Sequence, residues 1–163
     1  MVSSNPSTSP RVEAVQEFIS VFKTLDAAPL EKLLSPSYNH TMGPASVDPF
    51  KIGPFDKAGF IGHVAGLSYL MTSFPVTITE IVDSESSNSV WAWTASDVKW
   101  RSEVTDGDAA EWSYQGQNLF MFWFDAEGKI ERVIEVLDSQ KSINELLPLL
   151  GRAGANLQKA AAA

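Results

Sequence analysis

The sequence predicts an α+β fold, and three observations carry that reading. Apolar residues recur at helical spacing in the first half of the chain, up to Phe74. After Pro75 the period changes: residues 76–83, 89–101, 111–124 and 129–138 are rich in Trp, Phe, Val, Ile and Thr, as strands are. The links between them are short turn sequences, among them Thr105-Asp106-Gly107-Asp108 and Asp125-Ala126-Glu127-Gly128. Links that short make neighbouring strands antiparallel, because a parallel pair needs a crossover of about a dozen residues or more. Helices followed by a run of strands is the α+β order.

Taken in order, residues 1–10 read as a disordered tail, since Ser, Pro, Asn and Thr bury too little apolar surface to order it. A helix follows Pro10, with Val12, Val15, Phe18, Ile19, Phe22 and Leu25 on one face. Residues 26–29 break it, and a short second helix around Leu30, Leu33 and Leu34 ends at Ser35 and Pro36. Residues 36–55 read as a long loop, punctuated by Pro36, Pro44, Pro49, Pro54, Gly43 and Gly53; a loop that long in a compact domain is more often functional than idle. Asp56 is placed to cap a third helix, whose face collects Phe60, His63, Val64, Leu67, Leu70, Met71 and Phe74 before Pro75 stops it. Four strands then form a meander. Residues 142–150 suit a short closing helix, so one domain spans 11–150 and residues 151–163 read as a C-terminal tail.

Composition removes several function classes. A chain of 163 residues forms one domain with a radius of gyration of about 15 Å, large enough to enclose a pocket. Twelve basic against twenty acidic residues give a net charge of −8. Without a basic stripe, nucleic acid and anionic membranes are poor partners. The longest apolar run, residues 119–124, cannot cross a bilayer, and the first residues lack the apolar stretch of a secretory signal, so a cytoplasmic location is expected. Cysteine is absent, and the two histidines show no metal-ligand spacing, so no metal is expected. No nucleophile elbow, Walker loop or dinucleotide fingerprint occurs, and no cofactor is expected. The strands are apolar on both parities: Trp91 and Trp93 on one side, Val90, Ala92, Val98 and Trp100 on the other. Both sheet faces therefore need cover, and a homodimer packed through the sheet is expected.

Few residues can carry chemistry. His63 lies on the apolar face of the third helix among Gly59, Gly62, Ala65 and Gly66, small neighbours that leave room for a ligand. It reads either as a core histidine satisfied by one hydrogen bond or as an acid/base group in a pocket. His40, beside Tyr38 and Asn39 in the Pro-rich stretch, reads first as a solvated loop residue. Glu135 and Asp138 sit on the last strand between Val, Ile and Leu residues, and their opposite parity lets only one of them face a pocket. Tyr114, Gly116 and Asn118 share a parity on the third strand, where polar side chains can bind a carbonyl or hydroxyl. Trp93 and Phe60 are expected to wall the pocket, with Tyr38 and Asp138 as further substrate contacts.

The layout resembles the nuclear-transport-factor-like superfamily, and within it the SnoaL-like group of fungal and bacterial biosynthetic proteins, over about residues 12–150. Asn39-His40-Thr41-Met42-Gly43-Pro44-Ala45-Ser46 is similar to that group's His-x-x-x-Pro-Ala-Ser loop. His63 is followed by Leu67 and by Phe74-Pro75-Val76-Thr77, and Phe122-Trp123-Phe124-Asp125-Ala126-Glu127-Gly128-Lys129-Ile130 by Glu135-Val136-Leu137-Asp138-Ser139. The resemblance implies a cone-shaped barrel of curved antiparallel sheet packed on three N-terminal helices. It also implies a cofactor-independent cyclase, isomerase or dehydratase of secondary metabolism, acting on a small hydrophobic polyketide- or terpenoid-derived compound. His63, Glu135, Tyr114 and His40 would be its catalytic residues, with His63 removing a proton, Glu135 orienting it or returning a proton, and Tyr114 or Asn118 polarising the substrate oxygen. Gly116-Gln117-Asn118 departs from the Asn-Glu-Tyr that fungal relatives often carry. The same fold also hosts non-catalytic binding modules.

Overall fold

The computed structural model describes residues 8–162. Helix α1 (Pro10–Thr24) starts where the Ser9 hydroxyl accepts the Val12 N–H and Pro10 occupies the first turn. Next come α2 (Leu30–Leu33), strand β1 (Leu34–Gly43), a 3-10 turn (Ala45–Phe50) and β2 (Phe55–Asp56). The Asp56 carboxylate accepts the Gly59 N–H at 2.7 Å and caps α3 (Lys57–Leu67). Strands β3 (Met71–Ser73), β4 (Val76–Ser84), β5 (Ser89–Asp97), β6 (Lys99–Trp100), β7 (Gln115–Phe124) and β8 (Ile130–Leu137) follow. A closing helix runs from α4 (Ser139–Lys141) through a π-helical turn (Ser142–Leu146) into α5 (Leu147–Ala162). No helix of the described residues is long and apolar enough to cross a membrane.

Six strands form one curved sheet in the order β2-β1-β8-β7-β5-β4, and β3 pairs with β6 apart from it. The sheet is open, with β2 and β4 as its edges, rather than a closed barrel. Its pairs are antiparallel except β1 with β8, where His40 faces Val133 and Met42 faces Glu135. The first part of the stretch expected as a loop over 36–55, residues 36–43, is therefore strand. Tyr38 and His40 are buried while Ser37 and Asn39 are exposed, the alternation of a half-buried strand. The prolines conceal it, and the register shift between Leu34 and Asn39 absorbs Pro36.

Other boundaries differ from expectation. Helix α3 ends at Leu67, after two glycines in its last six residues, and Met71 reaches the core from β3. The second predicted strand divides at Val98, so that Lys99–Trp100 can pair with β3. The third begins only at Gln115, after a 3-10 turn (Ala109–Trp112). The segment expected as a tail from 151 is the body of α5. Ala153 is fully buried, Arg152 bonds Glu111 at 2.8 Å and pairs with Asp106, and the Asn156 amide donates to the Val104 carbonyl. The expected N-terminal tail lies outside the described residues over 1–7, whereas Ser9 and Pro10 belong to the start of α1.

Two apolar clusters result. Phe18 centres the larger, stacked on Phe60 at 5.4 Å and meeting Phe122 edge-on at 5.2 Å, which ties α1 and α3 to the inner sheet face. The smaller gathers Leu25, Met71, Trp112, Tyr114, Leu149 and Ala153 beneath α5. Because Ala153 is fully buried within this cluster, Ala153→Leu is expected to destabilise the fold by about 1–3 kcal/mol through overpacking. Chemical denaturation measures this, and an unchanged midpoint would mean that α5 does not dock as described.

Candidate active site

The concave sheet face and the helices enclose a cavity of about 90 Å³. Its walls are mainly apolar: Phe22 from α1, Phe60 and Leu67 from α3, Met71, Phe74, Met42 and Ile52, and Leu146, Leu147 and Leu150 from the closing helix. Glu135, Asn118, Tyr114, Ser142 and His63 supply its polar groups. A predominantly apolar concavity with a few convergent polar groups is the usual form of a small-molecule site.

Glu135 occupies the inner face of β8 at 6% exposure. Its Oε1 accepts the Asn118 amide N–H from β7 at 2.7 Å, and its Oε2 lies 3.0 Å from His40 Nε2 on β1. Tyr38 continues the chain: its hydroxyl is 2.8 Å from His40 Nδ1. The His40 ring is flat against Phe60, with centroids 4.5 Å apart. Burial, with the Glu135 charge adding to it, pushes the Tyr38 phenol far above its ordinary range, so it remains a proton donor. An ionised carboxylate only accepts, so His40 Nε2 carries the hydrogen and Nδ1 receives the Tyr38 O–H.

His63 reaches the same cavity from α3, stacked on Phe55 at 4.8 Å. Burial lowers its proton affinity, Glu135 raises it and His40 lowers it further, with a net shift below 6.5. The imidazole is therefore neutral at neutral pH, with one donor and one acceptor nitrogen. At the other side of the cavity the Tyr114 hydroxyl lies 3.5 Å from Ser142 Oγ. Burial is the largest influence on Tyr114 and raises its pKa. Tyr114 folds back over its own strand, and a Cβ at Gly116 would collide with its hydroxyl, so glycine is needed there.

Glu135, His63, Tyr114, Asn118 and Phe60 thus line one cavity. His40 is not a solvated loop residue but is fully buried, because β1 lies against β8. Neither His40 nor Tyr38 lines the cavity; both stand behind Glu135, so Tyr38 is not placed to touch a substrate. Trp93 points to the outer sheet face and is 42% exposed, since inner positions of β5 fall to Val90, Ala92 and Thr94. Asp138 caps α4, accepting the Lys141 N–H, and borders a groove outside the cavity with Gln115 and Gln117. The sequence reading missed Ser142 and the three leucines of the closing helix. The only signal for them was the apolar spacing of Leu146, Leu147 and Leu150.

No protein-family model matches the chain, and no curated protein matches it in sequence. Solved structures do match. An NTF2-like protein of unknown function from Burkholderia pseudomallei superimposes with a TM-score of 0.66 at 15% identity, over 85% of this chain and 98% of that one. BvnE pinacolase from Penicillium brevicompactum gives 0.67 at 17% identity, over 94% and 97%. An LEH-like epoxide hydrolase from M. tuberculosis gives 0.61 at 15% identity, over 89% and 95%. The curved sheet, the helices against its concave face and these superpositions together show that the chain has the NTF2-like, SnoaL-like α+β fold.

Proposed function

We propose that the protein is a cofactor-independent acid/base enzyme, a cyclase or isomerase acting on a compact, neutral, polyketide- or terpenoid-derived intermediate. One observation carries this reading: a buried carboxylate, held at both oxygens by N–H donors, opens onto an apolar cavity. Glu135 then serves as the base and His63 as the hydrogen-bond donor, the reverse of the roles the sequence suggested. Glu135 has lone pairs to spare after accepting from His40 and Asn118. It takes a proton from a substrate C–H or O–H and returns it to another atom of the same molecule. The neutral His63 N–H and the Tyr114 O–H bond the oxygen on which negative charge develops. Apolar walls keep water from the intermediate. The likeness to a protein called a pinacolase supports small-molecule rearrangement on this fold.

Benzisoxazole, a flat apolar carbon acid, tests the base without knowledge of the natural substrate. The protein is expected to accelerate its ring opening, and Glu135→Gln to reduce that rate by about 10²-fold or more, the usual contribution of a positioned base. Absence of any acceleration that depends on Glu135 would remove this reading.

His63 gives a pH signature. Its folded-state pKa is lowered, so the unfolded chain binds its proton more readily. The resulting stability is complete above the ordinary value of 6.5 and is lost as pH falls from there through the lowered folded value. His63→Gln is expected to flatten the fall in melting temperature between pH 7 and pH 5. Parallel curves for the two proteins would contradict the burial of that imidazole.

A homodimer belongs to the same proposal. Val82, Trp91 and Trp93 form an exposed apolar strip with Leu119 on the outer sheet face. A two-fold axis lets such a strip cover itself. Sedimentation is expected to give about twice 17.8 kDa; a monomer at micromolar concentration would refute the dimer.

A further inference from the structure

Hydrogen bonds behind the cavity hold its carboxylate in place. The Tyr38 hydroxyl has one partner among the described residues, His40 Nδ1. Its hydrogen must go there, because a buried O–H left without an acceptor costs about 1–3 kcal/mol. His40 then donates from Nε2 to Glu135. Asn118, the other partner of Glu135, is a neutral amide. None of the described residues lining the cavity is Lys or Arg. The ammonium of Lys141 lies outside, on the Gln115 carbonyl and the Glu145 carboxylate. The carboxylate therefore accepts from two N–H donors, and no Lys or Arg stands beside it among the described residues lining the cavity.

The remaining walls suit a cation as well. Phe22 and Phe74 contribute aromatic rings, edge-on to each other at 6.3 Å, whereas Phe60 is stacked on Phe18 and His40. Ring faces attract positive charge carried on an apolar frame. A tertiary ammonium N–H can also donate to a free lone pair of Glu135, a charge-assisted bond stronger than a neutral one.

We propose that the cavity is a cation-preferring site: compact tertiary ammonium ions occupy it in competition with substrate, and free acids are excluded. This rests on the reading of the cavity as the substrate site and restricts that substrate to neutral ketones, esters or alcohols. A carboxylate brought beside Glu135 would meet a like charge with no basic group to offset it.

Three probes of similar size test it in 150 mM salt at pH 7.5: N-methylpyrrolidine as its ammonium ion, neutral N-methylpyrrolidinone, and cyclopentanecarboxylate. Calorimetry is expected to show the ammonium ion binding at least tenfold more tightly than the lactam, with no binding of the carboxylate. Glu135→Gln is expected to abolish the tenfold preference. Methyl resonances of Met42 and Met71, both in the cavity wall, are expected to shift on adding the amine, and this measurement needs no variant. Lactam binding as tight as the ammonium ion would overturn the proposal. So would a preference that survives in Glu135→Gln, which would trace it to the overall charge of −8. Unshifted methionine methyls would overturn it too. Benzisoxazole ring opening that depends on Glu135 but is not inhibited by the amine would sink this inference alone. Loss of ring opening itself would sink the reading of the site as catalytic.

Discussion

Glu135 carries its carboxylate to 6% exposure, and a charge moved that far from water costs several kcal/mol unless donors replace its hydration. Much of the inner architecture answers that requirement. Asn118 comes from one neighbouring strand and His40 from the other, so both must pair with β8 on the correct face. His40 in turn needs a donor for Nδ1, which Tyr38 provides two residues earlier on the same strand. Phe60 lies flat on the His40 ring and joins this polar chain to the aromatic cluster around Phe18. The polar unit and the apolar core are thus one construction, because neither holds its geometry without the other.

The closing helix decides what the cavity can admit. Its π-helical turn places Ser142 beside Tyr114, and Leu146, Leu147 and Leu150 complete the apolar wall. The helix is anchored along its other side. Ala153 sinks into the smaller cluster, while Arg152 lies over Trp112 at 4.7 Å and bonds Glu111. A π-helical turn widens one helical step, and such turns occur often at functional sites. Here Ser142 and Leu146 of the turn line the cavity, with Ser142 beside Tyr114.

The two faces of the sheet differ by alternation alone. On β5 the even positions Val90, Ala92 and Thr94 are buried, and Trp91 and Trp93 stand outside. Large aromatic residues on an outer face expose apolar surface that a monomer has no means to cover. The inner face of the same strand carries smaller side chains, which leaves space for the phenylalanines of α1 and α3.

Periodicity was enough to determine the α+β class, the first helix and the approximate positions of β4, β5, β7 and β8. These depend on neighbours a few residues apart, and a 3.6-residue or two-residue apolar repeat records them directly. Strand parity grouped Tyr114 with Asn118 and set Glu135 opposite Asp138 without choosing which carboxylate faces the pocket; in the structure it is Glu135. Trp93 was misjudged because parity separates two faces without saying which is concave. Strand β1 was hidden because its partner β8 lies more than ninety residues away in sequence, His40 facing Val133, and because Pro36 within it and Pro44 just after it carry the local marks of a loop. Only that long-range pairing buries His40, turns it toward Glu135 and makes Tyr38 its donor. Tertiary structure alone likewise made residues 151–162 a docked helix. Their sequence is weakly apolar, and the cluster that Ala153 joins, with Leu25, Met71 and Trp112 among its members, comes together only in the folded chain.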